Sequence, residues 1–388
     1  MSNKLTAIAP RTTLLLALCI WCFLPAQAAN DPLQTPALVS AKADTSMLLS
    51  VAQAGARLIA VGERGVIVVS DDQGQNWRQA SVPVSVTMTA VQFTSPNKGW
   101  AVGHEGVVLS SEDGGLTWTK RFDGHQGSVL MVAQAEKNLA RAQQAHAAAQ
   151  GADKDAAAEA QDEADIMLSD VKAGAEFGPY RPLLGLLFDN AGAGYVVGSY
   201  GQIFHTADGG KHWESLANRL NNPVGLHYNA LSRTQTGALV IAGERGKVYR
   251  SRDDGATWKT FDTGYIGHLY GVLGLADDDG GAQRMLAFGF GGHILQGSDD
   301  GSVWREVPAV SKKSLIGAIM APDGSIVLAA QDGSLLLSND LGDSFTMLKK
   351  ADGRAIAAMA LLPDGAHIAF AGIGGVRVIS SGTKGRLN

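Results

Sequence analysis

The chain has 388 residues, 45% of them hydrophobic, with 32 basic and 37 acidic side chains and a net charge of −5. That length suffices for a sizeable core, and the charge shows no basic excess of the kind nucleic acid selects. Cys19 and Cys22 are the only two cysteines, so everything after them is without disulfides, thiolate metal sites or a cysteine nucleophile.

Residues 1–28 read as a targeting segment. Lys4 and Arg11 form a basic start, Leu14 to Leu24 is an apolar run short of a comfortable bilayer span, and Ala26-Gln27-Ala28 offers a cleavage site. The expectation is an exported chain starting near Ala29, in the periplasm, or in the thylakoid lumen if the source is photosynthetic. A retained membrane anchor is the alternative. A lipoprotein fits less well, because Leu16-Ala17-Leu18-Cys19 puts a bulky Leu just before the cysteine. No later stretch is apolar enough for a transmembrane helix, and loss of Lys4 and Arg11 makes the mature chain more acidic still.

Pro32 and Pro36 keep the next residues extended, and Ala37–Lys42 can form one short strand. From Met47 a period sets in. Each unit holds an apolar strand, a turn, a small-residue strand ending in V/A-G-x-x-G, a third strand, an Asp-containing turn and a Trp strand. The V/A-G-x-x-G signals begin at Val61, Val102, Val197 and Ala242, with looser copies at Phe288, Ala329 and Ala371. The turn frame S/T-x-D-x-G-x-x-W spans Ser70–Trp77, Ser111–Trp118, Thr206–Trp213 and Ser251–Trp258, with one substitution each at Gly297–Trp304 and Ser338–Phe345. Starts fall 41 to 46 residues apart, apart from one interval of 95. That is the step of a four-stranded propeller blade, so the expectation is an all-β, seven-bladed β-propeller over 29–388. The seventh copy ends without a Trp strand. The Ala37–Lys42 strand is expected to supply it and close the ring, since an open seam exposes strand edges.

The long interval holds an Ala-rich insertion at 124–178. Val132, Ala135, Leu139, Ala142, His146 and Ala149 step by three and four, as do Ala157, Ala160, Ala164, Met167 and Val171, with Gly151-Ala152-Asp153 between. Two stripes and a breaker predict an antiparallel helical hairpin projecting from the ring. A disordered Ala/Gln/Asp linker is the other reading.

The recurring turn residues Asp72, Asp113, Asp208, Asp253 and Asp340 invite a catalytic or calcium-binding reading. An Asp at a turn accepts backbone N–H groups, and the following Trp77, Trp118, Trp213, Trp258 and Trp304 each have an aromatic face to bury. Catalysis needs one carboxylate in one place, whereas this one recurs around the ring, which favours architecture. Strand order puts the Asp turns on one rim and the x-x pairs on the opposite face. Arg64, His104, Glu105, Tyr200 and Arg245 fall there, as do the hairpin, Tyr180 and Arg181 after it, and Tyr265 and His268 in a later crossing. Arg, Tyr and His are the side chains of interaction hot spots; any single one also reads as an ordinary solvated loop residue.

The S/T-x-D-x-G-x-x-W turns resemble those of BNR (Asp-box) repeat proteins, which include sialidases. Gly99-Trp100-Ala101-Val102-Gly103 followed by His104-Glu105-Gly106 and the Asp turn is similar to photosystem II stability/assembly factor-like propellers, a family with non-photosynthetic bacterial members. The resemblance covers residues 47–382 around the insertion. For photosynthetic members it implies a lumenal assembly chaperone that holds membrane-protein intermediates through an Arg-containing surface, at positions matching Arg64, Arg181 and Arg245. The net acidity and the Ala-rich insertion depart from that pattern. A sialidase would need an arginine cluster and a Tyr nucleophile activated by Glu; no R-I-P element occurs, nor an H-E-x-x-H, a G-x-S-x-G or a phosphate loop. The expectation is a non-enzymatic exported scaffold, monomeric alone, without cofactor, metal or nucleic acid, that binds a membrane or envelope protein complex. A sialidase-like glycosidase and a carbohydrate-binding propeller are the alternatives.

Overall fold

A computed structural model describes residues 31–275, 284–298, 301–321, 323–351 and 353–380. The targeting segment expected at 1–28 lies outside them. Seven antiparallel sheets follow one another along the chain, covering residues 48–79, 88–122, 183–215, 228–262, 269–307, 315–349 and 356–380. The first six have four strands and the seventh, among the described residues, has three. Each is a meander in which every strand pairs with the next. First strands of successive blades neighbour one another and the last returns to the first, so they line the axis of a closed ring.

After its first residue, the second strand of each blade is an uninterrupted apolar run, as in Arg57–Gly62, Gly99–Gly103 and Leu239–Gly243, buried almost throughout. Alternation is lost there because each blade is sandwiched between two others and both strand faces are covered. Aromatic rings fill the wedges. Trp100 of blade 2 stacks on Phe188 of blade 3 at 3.9 Å between centroids, and Phe122 tilts against Phe204 and Trp213.

The expected closing strand does not form. Ala37–Lys42 has no strand pairing; it runs beside the outer edge of blade 1, where the Ala37 N–H donates to the Val82 carbonyl and the Ser40 N–H to the Gln79 side chain. Leu38 and Val39, whose strand propensity suggested the assignment, are 83% and 91% exposed. Propensity without a surface to bury does not make a strand. The ring closes by packing instead. Leu48, Leu58, Ala60 and Val68 of blade 1 share one core with Ala369, Ala371, Val376 and Val378 of blade 7.

The insertion forms two helices, α1 (Gly124–Ala148) and α2 (Asp153–Glu176). Asp123 caps α1, accepting from the His125 and Gln126 N–H groups, while the Gln126 side chain accepts from the Asp123 N–H. The two helices are bridged by His146–Gln161 at 2.8 Å and Lys172–Glu136 at 3.0 Å. Only the base is buried: Gly127, Met131, Ala135, Val171 and Gly174, against a core that includes Phe122 and Phe204 of blades 2 and 3. Beyond it the hairpin stands clear.

Candidate functional site

The Asp-turn rim spends its polar groups on itself. Asp113 accepts from the Ser111 hydroxyl (2.8 Å), the Leu116 and Thr117 N–H groups (both 3.0 Å) and the Thr117 hydroxyl (2.6 Å). Asp72, Asp208, Asp253 and Asp340 hold equivalent bonds. The Asn76 amides hold Asp72 down at about 2, and the Thr257 hydroxyl and N–H do the same for Asp253. Trp77, Trp118, Trp213 and Trp258 donate from the indole to the carbonyl of the turn glycine. Trp304 does not: its buried indole N–H has no partner among the described residues, and its ring lies against Gly297, which stands where the other copies have Ser or Thr.

The opposite face is built from the turns between second and third strands. In each of the first five, the middle residue has left-handed backbone: Arg64 (φ 54°), Glu105 (56°), Tyr200 (56°), Arg245 (52°) and Gly291 (71°). For a residue with a Cβ this costs on the order of 1 kcal/mol. The glycine after it has no room for a side chain, because the next inter-blade crossing presses its backbone there: Val84 over Gly65, Gly124 over Gly106, Tyr265 over Gly246. Clamped beneath the crossing, each turn holds its strained residue outward. In the two Glu-Arg-Gly turns the acid is consumed: Glu63 accepts from the Met47 N–H (3.1 Å) and Glu244 from the His227 N–H (2.8 Å). Arg64 and Arg245 are exposed and have no ion-pair partner among the described residues.

On blades 3 to 5 the side chains converge. The Arg181 guanidinium lies over Tyr200 at 5.0 Å and Tyr180 at 5.8 Å, the two rings meeting edge to face. Arg181 also fills the space in front of Gly174, near the C-terminal end of α2, where a cation is favoured. Tyr200 then contacts the His227 ring at 4.9 Å, and His227 and His268 both approach the Glu244 carboxylate, at 3.7 and 3.4 Å. Next along the rim, Tyr265 packs on His293 at 4.6 Å and donates to the Phe290 carbonyl at 2.8 Å. Burial raises the Tyr265 phenol, with Tyr270 adding to it. Exposed apolar groups crowd the same face: Tyr180, Tyr200, Val224, Ile266 and Phe290.

The structure thus brings together Tyr180, Arg181, Tyr200 and His268, with Tyr265 and Arg245 adjoining. Arg64, His104 and Glu105 share the face but sit on blades 1 and 2, outside the cluster. Sequence reasoning missed His227 and gave Glu244 no role as a link. The signal was present: aligning the repeats on their first strands puts His227 before Tyr228 where His268 precedes Leu269.

Comparison with known proteins follows this geometry. The family described as "Photosynthesis system II assembly factor YCF48" matches residues 69–137 and 180–377, leaving out most of the hairpin. "Photosystem II assembly protein Ycf48" of Thermosynechococcus vestitus is 27% identical over 160 residues, covering 40% of this chain and 43% of its own. "Photosystem II assembly lipoprotein Ycf48" of Synechococcus sp. (strain CC9902) is 23% identical over 150 residues, 39% and 43% of the two chains. The chain therefore spans less than half the length of these curated relatives. A solved structure titled "YCF48 bound to D1 peptide" superposes with a TM-score of 0.57 at 17% identity, over 89% of this chain and 99% of that one. "YCF48 from Cyanidioschyzon merolae" gives 0.56 at 15%, over 89% and 98%. The WD40 propeller domain of Doa1 gives 0.57 at 11%, over 89% and 96%, so the superposition speaks to fold.

Proposed function

The chain belongs to the photosynthesis system II assembly factor YCF48 family, and from that premise we propose that it is a non-enzymatic, exported assembly scaffold. Its partner is a segment of a membrane or envelope protein complex, held by the face of the inter-strand turns together with the base of the hairpin. The observation that carries this reading is the contrast between the two rims. One uses its carboxylates and indoles internally; the other holds unneutralised Arg64 and Arg245, the Tyr180–Arg181–Tyr200 stack and exposed apolar groups on strained, clamped turns. Desolvated arginine and aromatic side chains on a rigid frame are what a protein-binding surface needs. A relative in this fold is titled as bound to a D1 peptide, which agrees in kind with a polypeptide ligand. Among the described residues no helix is long and apolar enough to cross a membrane. In this proposal the scaffold, monomeric alone, works in the periplasm, or in the thylakoid lumen if the source is photosynthetic.

A sialidase-like reaction draws less support. A tyrosine nucleophile needs its proton made easier to remove, whereas burial raises the Tyr265 phenol, and its hydroxyl is engaged with the Phe290 carbonyl. Crosslinking and affinity purification from the native envelope tests the scaffold. The intact protein is expected to retain a membrane-complex subunit that the double variant Arg64→Ala/Arg245→Ala loses. Equal recovery by both, or turnover of a fluorogenic sialoside that vanishes in Tyr265→Phe, overturns it.

A further inference from the structure

Where the hairpin meets the ring, a cavity of about 240 Å³ opens between α1, α2 and the crossing from blade 3 to blade 4. A second cleft of about 200 Å³ continues from it, sharing Ala135, Asn138 and Met167, and reaches Ala160 and Glu163 past Pro223. From Val171 to Ala160 the run along α2 is about 16 Å at 1.5 Å per residue. At about 3.3 Å per extended residue, that is room for about five residues of polypeptide.

We propose that this groove binds a short, extended, uncharged polypeptide segment. The proposal rests on the reading that this face carries recognition, and it gives the hairpin junction a ligand of its own. Three observations argue for that chemistry. The lining is rich in carboxamides (Gln134, Asn138, Asn218 and Asn221); Gln134 donates to Asn138 at 2.9 Å, which still leaves the Gln134 oxygen as an acceptor and the Asn138 amide as a donor, a pairing that matches a main chain presenting both. Met131 and Met167 supply adaptable apolar surface for varied side chains. Charge is nearly absent: Glu163, at the outer end, is the one ionisable carboxylate, and no Lys or Arg lines either cleft. That disfavours an anionic ligand.

The inner end supplies an independent sign of a missing acceptor. Tyr228 lines the cavity and is fully buried, yet its hydroxyl has no hydrogen-bond partner among the described residues. Burial pushes its phenol far up, so it stays a donor. Asn222 accepts from the Leu226 N–H and donates to the Leu226 carbonyl; its remaining amide hydrogen can reach the phenol oxygen only as a donor, which leaves the phenolic O–H itself without an acceptor. A buried donor left unmade is costly, and a ligand carbonyl reaching this end would satisfy it. The outer wall on the helices, from Asn138 onward, lies outside the residues the family match covers, so that part of the groove belongs to this chain's insertion.

Selection of phage-displayed random heptapeptides on the purified full chain, followed by fluorescence polarisation of enriched peptides, tests this. Uncharged sequences are expected. Asn138→Trp, which plugs the shared middle of the groove, abolishes their binding; Tyr228→Phe, which keeps the ring, weakens it about tenfold, as loss of one buried hydrogen bond does; Glu112→Ala, exposed on the Asp-turn rim and outside both clefts, leaves it within about twofold. Gln134→Trp serves as a second plug if Asn138→Trp lowers the melting temperature. Peptides that bind both plugged variants normally and depend only on the arginines overturn the groove while leaving the face reading intact. Enrichment of no peptide, or plug-sensitive binding of neutral oligosaccharides on a glycan array in its place, also overturns it.

Discussion

Arg181 occupies the space in front of Gly174, so that a Cβ on the glycine would collide with the guanidinium. This one contact joins the hairpin to the aromatic cluster of the ring. Gly174→Ala separates its two consequences. Ala is favoured over Gly inside a helix by about 1 kcal/mol, so the melting temperature stays level or rises. The displaced Arg181 leaves Tyr180 and Tyr200, and partner capture falls. Faster amide exchange at residues 180–182 with unchanged exchange in the blades is the expected signature; unchanged capture would show that the stack is not part of the docking surface.

The strained turns give a pair of opposed effects. Arg64→Gly and Arg245→Gly place at φ 54° and 52° the residue that tolerates them. Each change is expected to be neutral to stabilising by up to about 1 kcal/mol in urea titrations. Each also removes a cation from the face and weakens capture of the partner. A variant that gained stability and kept full binding would break the link between strain and function.

The Asp turns set the acid limit. Asp72 and Asp253 titrate near 2 in the fold, below the ordinary value of 3.8, and Asp208, held by the His212 amide and ring, lies lower still. A depressed carboxylate contributes stability that is fully present above its unfolded value and is lost as pH falls through its folded one. Denaturant midpoints are therefore expected to be flat above about pH 5 and to drop between about pH 4 and 2. Asp253→Asn flattens that drop. A midpoint that falls first between pH 7 and 5 would show that the Asp turns do not set the acid limit.

Two tryptophans at equivalent positions are expected to respond differently to the same change. Trp118→Phe deletes an indole N–H that donates to Gly115 at 3.0 Å, while Trp304→Phe deletes one with no partner among the described residues. Beyond the packing lost in both, the first is expected to cost about 1 kcal/mol more, read by thermal denaturation. Equal losses would mean that the turn bond adds nothing.

Replacing residues 127–174 by a short linker is expected to leave a folded ring, since the hairpin enters and leaves at one crossing. It also uncovers Phe122 and Phe204, which pack with Met131 and Val171. Near-native β circular dichroism with a lower melting temperature and new dye binding is the expected outcome, together with loss of the partner. Capture that survives the deletion would remove the hairpin from recognition.

How much of this was legible follows from the range of each signal. The period, the blade number and the division into two rims came from repeated short motifs, because each blade solves the same local packing problem. The hairpin seam came from helical spacing, yet Met131, one residue off the expected stripe, packs into the ring alongside Val171, which lies on it. Periodicity reveals a pair of helices and is silent on a third surface. His227 and Glu244 join into a cluster only through contacts between blades, which no local pattern encodes. Ala37–Lys42 misled because Leu38 and Val39 look like strand residues while lying in solvent.

The seam has a consequence for when the molecule can exist as a ring. The Asp44 carbonyl sits over Gly375 as the carbonyls of Val84, Tyr265 and Ser311 sit over Gly65, Gly246 and Gly292 in other blades. The turn at Ala43–Thr45 thus takes, over Gly375 of blade 7, the place that an inter-blade crossing takes in those other blades. Its place is completed by residues more than three hundred positions later, so a chain emerging N-terminus first carries the Ala43–Thr45 turn without its partner until Gly375 has arrived. Closure is then the final event of folding, and the slow search it demands is set by the distance along the chain.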